Sequence, residues 1–306
     1  MNADFKFIMI SAMYENGGNT TQRLLDGHPE LFSYPFESQP GTKYVQDYLS
    51  SLYPLKYRWP VFPLHSTVAE DYETIIDEEC KVRIKTPQSS KFRDVPLKLD
   101  DKERKRLFVQ HMEGRPRTRG NLMEAFFRAS ADAWEDYNRS GREAAYVGYS
   151  PIVGVDADKI VLDYRDSHVL NIVRNPWSAY ADTKKRAVPL SIAHYMTGWS
   201  VHQQHALANA CKYPGRVQVL RFEDLIAGPV KALSAFLKQC GIGSSPTLAH
   251  PSWNGKVLEQ VYPWGTIRAP TPEANQATAD ELSAVEKEEI RFRSGPLLKA
   301  LGYEQA

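Results

Sequence analysis

Residues 5–25 read FKFIMISAMYENGGNTTQRLL, and this stretch decides the fold. Phe5 to Ala12 is a short, nearly continuous apolar run, as expected of a strand buried on both faces of a parallel sheet. A polar loop, Tyr14 to Thr21, follows it. The next residues, TTQRLLDGHPE, carry Leu24 and Leu25 as an apolar stripe and stop at Gly27 and Pro29, which predicts a short helix. The pattern is strand, tight polar loop, helix. Gly17 and Gly18 permit close backbone approach and unusual φ, and Asn16, Asn19, Thr20 and Thr21 add side-chain donors. The first N–H groups of the helix lack partners within it. Together these features make a phosphate cradle, although a plain helix-start turn uses the same residues. The Gly-Lys-Ser/Thr ending of nucleoside-triphosphate loops is absent, which argues against a kinase or GTPase.

Further along, AYVGY (145–149), HVLNIV (168–173) and RVQVLRF (216–222) repeat the buried-strand pattern. Helices are expected over 155–165, from Pro176, over 190–212, and over 229 to Gly241. Strands alternating with helices predict an α/β protein: a P-loop-like parallel sheet flanked by helices in a single domain, residues 1–306. Residues 34–66 are rich in Pro, Tyr and Trp and read as an irregular insertion. Surface helices are expected over 68–79 and 99–113, and a long packed helix over 119–139, where Leu122, Phe126, Phe127 and Trp134 recur at helical spacing. The insertion, about 34–135, would form the substrate side. The C-terminal segment, 246–306, opens with a Pro- and Trp-rich stretch, 246–273, and ends in a helical segment from about Asp280 to Leu301.

Lys plus Arg number 38 and Asp plus Glu 37, a formal net charge of +1. No whole-molecule basic field exists to bind nucleic acid or an anionic membrane, so any anion must be held locally. No apolar run approaches the roughly 18 residues of a membrane span, and MNADFKF lacks the charged and apolar regions of a signal peptide. The three cysteines, Cys80, Cys211 and Cys240, are far apart and without metal-ligand spacing. They read as reduced thiols, and a cytoplasmic protein is expected. His194, His202 and His205 share a predicted helix but no acidic partner motif accompanies them, so no metal is expected.

Two further segments end strands where ligands bind in open parallel sheets: IVRNP (Ile172 to Pro176) and VLRFEDL (Val219 to Leu225). Arg174 follows its strand directly, with Asp182, Thr183, Lys184, Lys185 and Arg186 one to three turns on. With the first loop, these segments resemble the sulfotransferase family that takes its sulfuryl group from 3′-phosphoadenosine 5′-phosphosulfate (PAPS). The family's strand, Pro-Arg/Lys-Ser-Gly-Thr-Thr loop and Leu-Leu-x-x-His-Pro are laid out as FIMISA, the loop and TTQRLLDGHPEL. Its strand ending in Arg-Asn/Asp-Pro is matched by NIVRNP. Its Arg-Tyr-Glu-Asp-Leu and following Phe-Leu helix are matched by LRFEDL and SAFLKQCGI. The resemblance spans about Phe5 to Ile242.

The resemblance implies a transferase with PAPS as co-substrate and no metal. It implies a 5′-phosphosulfate loop of Asn16, Gly17, Gly18, Asn19, Thr20 and Thr21. It also implies a 3′-phosphate site at Arg174, with Asp182 at the family's Ser position and Thr183 or Ser178 as the substitute donor. Arg268, in WGTIR, and Lys256, in WNGK, are candidate phosphate ligands for the late glycine-rich signature. Glu15 stands where the family has a loop cation. Glu37, in YPFES, is the candidate general base, within about one residue of a catalytic glutamate in some carbohydrate and tyrosyl-protein sulfotransferases; its apolar neighbours would raise its pKa. A surface carboxylate pairing with Lys43 is the other reading of Glu37. His28 is the alternative base, or a helix-end histidine. The acceptor is a hydroxyl or an amine on a glycan or small molecule. The competing class is a non-catalytic nucleotide- or glycan-binding protein on the same scaffold, to which Glu15 and Asp182 lend weight. Nothing in the sequence defines an oligomeric state.

Overall fold

A computed structural model describes residues 5–259 and 271–303. In chain order its elements are β1 (Phe7–Ala12), α1 (Gly18–Leu25), β2 (Leu31–Ser33), α2 (Val68–Thr74), α3 (Glu78–Lys85), α4 (Asp101–His111) and α5 (Arg119–Ala133). There follow β3 (Ala145–Tyr149), α6 (Ala157–Asp163), β4 (Ser167–Val173), α7 (Pro176–Lys184), α8 (Ile192–Lys212), β5 (Val217–Arg221), α9 (Phe222–Ala227) and α10 (Pro229–Gln239). A two-stranded ribbon, β6 (Ser252–Trp253) and β7 (Lys256–Val257), and helices α11 (Pro272–Asp280), α12 (Ala284–Ser294) and α13 (Leu297–Ala300) complete the set.

The five main strands pair in parallel in the order β2-β3-β1-β4-β5. Every residue of β1 and β4 is buried, which is why both are mostly apolar and show no alternation of polar and apolar faces. One face of the sheet packs Ile8, Ile10, Leu170 and Ile172 against α1, α9 and α10. The other packs Phe7, Met9 and Val169 against the aromatic side chains of α5 and the insertion, including Trp59, Phe126 and Phe127. The chain leaves β1 towards β2 and leaves β4 towards β5 on the opposite side. A crevice therefore opens where the carboxyl ends of β1 and β4 lie side by side, Ala12 being in register with Ile172.

The four longer strands and most helices stand where the sequence predicts them. The short edge strand β2 carries too few residues to show a pattern. The helix expected over 68–79 is two helices. Asp77 breaks it with φ of 38°, and its buried carboxylate accepts from Tyr34 Oη at 2.7 Å and Arg104 Nη1 at 2.9 Å. The helix expected to 139 stops at Ala133, because Trp134 turns extended to bridge Leu99. The helical segment expected from about Asp280 to Leu301 is two helices, α12 and α13, and the unexpected α11 precedes it from Pro272 under a Thr271 cap. No described helix is long and apolar enough to cross a membrane.

Candidate active site

The sequence ends β1 in a loop of two positive-φ residues, Glu15 at 59° and Gly17 at 91°, and α1 starts immediately after. Asn16 clips this loop to β4. Its Oδ1 accepts from Arg174 N at 2.9 Å, and its Nδ2 donates to Tyr14 O at 2.8 Å and Tyr195 Oη at 3.0 Å. The glycines are required sterically. A Cβ on Gly17 would lie 2.2 Å from the Phe222 ring, and one on Gly18 would lie 2.3 Å from the Tyr149 ring. No side chain caps α1. Its leading N–H groups are left pointing out of the helix with the positive end of the helix dipole behind them.

They point into a cavity of about 330 Å³. Its wall includes Glu15, Gly17, Gly18, Asn19 and Thr20 from the loop and α1, and Arg174 and Asp182 from β4 and α7. Glu37 and Lys91 come from the insertion, Arg186 from beyond α7, and Asn275 from α11. The cavity therefore gathers residues from widely separated stretches of chain at the carboxyl edge of the sheet.

Arg174 is buried and held from three sides. Its Nε donates to Asn275 Oδ1 at 2.6 Å, and its Nη1 donates to Glu15 O at 2.9 Å and Asp182 Oδ2 at 2.7 Å. Among the described residues Nη2 has no partner. Asp182 also meets Lys185 Nζ at 3.3 Å. The carboxylate at the family's Ser position thus neutralises the guanidinium instead of standing alone.

Glu37 lines the cavity, not a surface patch with Lys43. Burial, then the like charge of Glu79, push its carboxyl up to about 7, while Lys91 pulls the other way. Glu79 is fixed there by accepting from Glu37 N at 3.2 Å and by an ion pair with Lys91. A carboxyl titrating near neutrality is fitted to take a proton at physiological pH.

Several predicted residues lie elsewhere. His28 is buried between two backbone groups, Nε2 against Gly243 O and Nδ1 accepting from Glu30 N, both at 3.1 Å. Burial pushes its pKa down, and it is the helix-end histidine rather than a second base on the cavity. Thr183 does not reach the cavity either, because its hydroxyl donates to Ala179 O at 2.9 Å inside α7. Ser178 donates to Asn275 O at 2.7 Å. Thr21 donates to Gly17 O at 2.9 Å and, like Asn16, shapes the loop from behind. Arg268 lies outside the described residues. Lys91, Tyr57 and Asn275 carried no motif, and Arg186 stood out only as the end of a run of cations after Arg174. Among the described residues no group of three or more His, Cys, Asp or Glu side chains could hold a metal ion.

Comparison with known proteins agrees with this layout. The Sulfotransferase family model matches residues 17–246, so the chain belongs to the sulfotransferase family. The sulfotransferase domain from the curacin biosynthetic pathway is 15% identical, with 99% of each chain covered and a TM-score of 0.56, which shows a shared fold. The sulfotransferase domain of the Synechococcus PCC 7002 olefin synthase is 14% identical over 100% of this chain and 98% of that one, with a TM-score of 0.48. Sulfotransferase STF1 from Mycobacterium tuberculosis H37Rv is 14% identical over 96% and 77%, with a TM-score of 0.44. No curated protein sequence matches the chain.

Proposed function

We propose that this sulfotransferase moves a sulfuryl group from PAPS to a hydroxyl, or an amine, of a small-molecule or glycan acceptor. The observation that carries this reading is one cavity lined by both an uncapped helix N-terminus and a carboxyl titrating near 7. The α1 N–H groups suit the 5′-phosphosulfate, and Arg174 is the candidate for the 3′-phosphate. Glu37 takes the acceptor proton as the acceptor oxygen attacks sulfur. The bond from sulfur to the bridging oxygen breaks, and its electron pair leaves on the phosphate of 3′-phosphoadenosine 5′-phosphate (PAP). The phosphate charge is held by fixed N–H donors and cations, with no covalent enzyme intermediate and no metal in the scheme.

A second cavity of about 460 Å³ adjoins the first and shares Glu37, Tyr57, Lys91 and Arg186 with it. It also carries Gln39, Lys56, Glu78, Glu79, Ser89 and Ser90, all from the insertion. Its polar lining supports an acceptor rich in hydroxyls. The whole chain reads as one catalytic domain. Its free thiols, one of them exposed at Cys211, support a reducing, intracellular place of action.

The test is PAPS turnover across a panel of sugar and phenolic hydroxyl compounds, followed by chromatography of PAP and sulfated product. Equal amounts of both, lost in Glu37→Gln, are expected. PAP binding without any turnover would favour a non-catalytic binding protein, as the neutralised Arg174 would then suggest.

A further inference from the structure

The loop of this chain lacks its cation. Glu15 stands there, at the cavity wall, and the charge on a transferring sulfonate needs a counter-charge from elsewhere. Arg174 is compensated by Asp182. Two other cations line the same cavity. Arg186 sits over the Tyr14 ring, its guanidinium carbon 4.9 Å from the centroid. Lys91 and Arg186 both line the donor cavity and the adjoining acceptor cavity, as Glu37 does, but only Lys91 pairs with Glu79, the carboxylate that accepts from Glu37 N. The Lys91 side chain is partly exposed and pairs with Oε1 of Glu79, while Oε2 accepts from Glu37 N. Burial works against its charge, but Glu79, Glu37 and Glu15 outweigh that and hold it protonated.

We propose that Lys91 is a catalytic residue that contacts the sulfonate in flight, replacing the cation the loop has lost. The proposal rests on the sulfotransferase reading above and assigns one of its missing parts. A group on the boundary between donor and acceptor cavities, beside the base, is placed to meet the one moiety that crosses that boundary. Glu79 then has two tasks. It keeps Lys91 over the junction, and it raises the proton affinity of Glu37. Transfer leaves the charge count unchanged: the sulfonate moves from phosphate oxygen to acceptor oxygen, the acceptor proton passes to Glu37, and Lys91 stays protonated throughout.

PAPS and PAP differ by the sulfonate, so the ratio of their affinities isolates its contact. Calorimetric titrations of wild type, Lys91→Met and the double variant Glu15→Lys/Lys91→Met with each nucleotide test the proposal. Lys91→Met is expected to weaken PAPS about tenfold or more, the scale of a lost charge-assisted hydrogen bond, and PAP by less than about threefold. Placing the cation back on the loop in the double variant should recover most of the loss, which a merely structural lysine would not allow. Lys91 is partly exposed, so the variant is expected to keep its melting temperature. PAPS affinity unchanged in Lys91→Met, or equal losses for both nucleotides, overturns the role of Lys91 while leaving the sulfotransferase reading intact. A wild-type protein that binds neither nucleotide overturns both.

Discussion

Replacing Asp182 with Ser should tighten PAP binding. Asp182 lines the cavity and its Oδ2 accepts from Arg174 Nη1 at 2.7 Å, so the cation is compensated before any ligand arrives. A phosphate dianion about 6 Å from that carboxylate, at an effective dielectric of about 40, is repelled by about 3 kcal/mol. Lys185, 3.3 Å from Asp182, screens part of this. About 1.5–2 kcal/mol should remain, or a gain in affinity of roughly 10–30-fold. The fold should lose little. Arg174 keeps Asn275 and the Glu15 carbonyl, and one partly exposed ion pair contributes about 1 kcal/mol or less. Calorimetry at low and high salt is the assay, with the gain shrinking as salt screens the carboxylate. Unchanged or weaker binding in a folded Asp182→Ser protein would refute the reasoning, because the 3′-phosphate would then lie away from α7.

Glu37→Gln should lower PAPS turnover roughly 10²–10⁴-fold with PAP affinity nearly unchanged, and wild-type turnover should rise with pH through about 7 as the base ionises. The same raised pKa makes a stability prediction. The folded state holds this proton more tightly than the unfolded chain, so the contribution is full below about pH 4.5 and is lost as pH rises through about 7. The pH-dependent difference between wild type and Glu37→Gln in chemical denaturation should reach at most about 3 kcal/mol; a flat difference would remove the raised pKa. Gly17→Val should fail to fold well, not merely fail to bind, because its side chain enters the Phe222 ring at a φ of 91°; a normal melting temperature would contradict this. Asp77→Ala should cost about 2–3 kcal/mol in denaturant unfolding, since it removes one of the two carboxylates, Asp77 and Asp101, that compensate the fully buried Arg104 guanidinium; a loss below about 1 kcal/mol would show the pair to be dispensable.

The sheet was legible because its central strands β1 and β4 are buried on both faces and read as mostly apolar runs, and because Gly-Asn and Arg-Asn-Pro mark two strand ends. Glu37 was singled out by the resemblance and by its apolar neighbours, and it does line the cavity. Local pattern could not reveal what depends on tertiary partners. Asp77 breaks a helical run only because Tyr34 and Arg104 capture its carboxylate. Thr183 and His28 have suitable chemistry, but helix geometry turns one hydroxyl onto Ala179 and chain packing sets one imidazole against Gly243. Lys91 and Asn275 sit in stretches with no motif at all. They join the site because the insertion and α11 fold over the carboxyl edge of the sheet. Gly17 and Gly18 were read as freeing the backbone for a phosphate, whereas the Phe222 and Tyr149 rings already demand them.

Titrating PAP into wild type and Arg174→Ala tests, without knowledge of the acceptor, whether the cavity between α1 and Arg174 is the donor site. Saturable one-to-one binding to wild type is expected, with a loss of about 2 kcal/mol or more, roughly 30-fold, in the folded variant. No binding to wild type, or equal affinity in the two proteins, would contradict it.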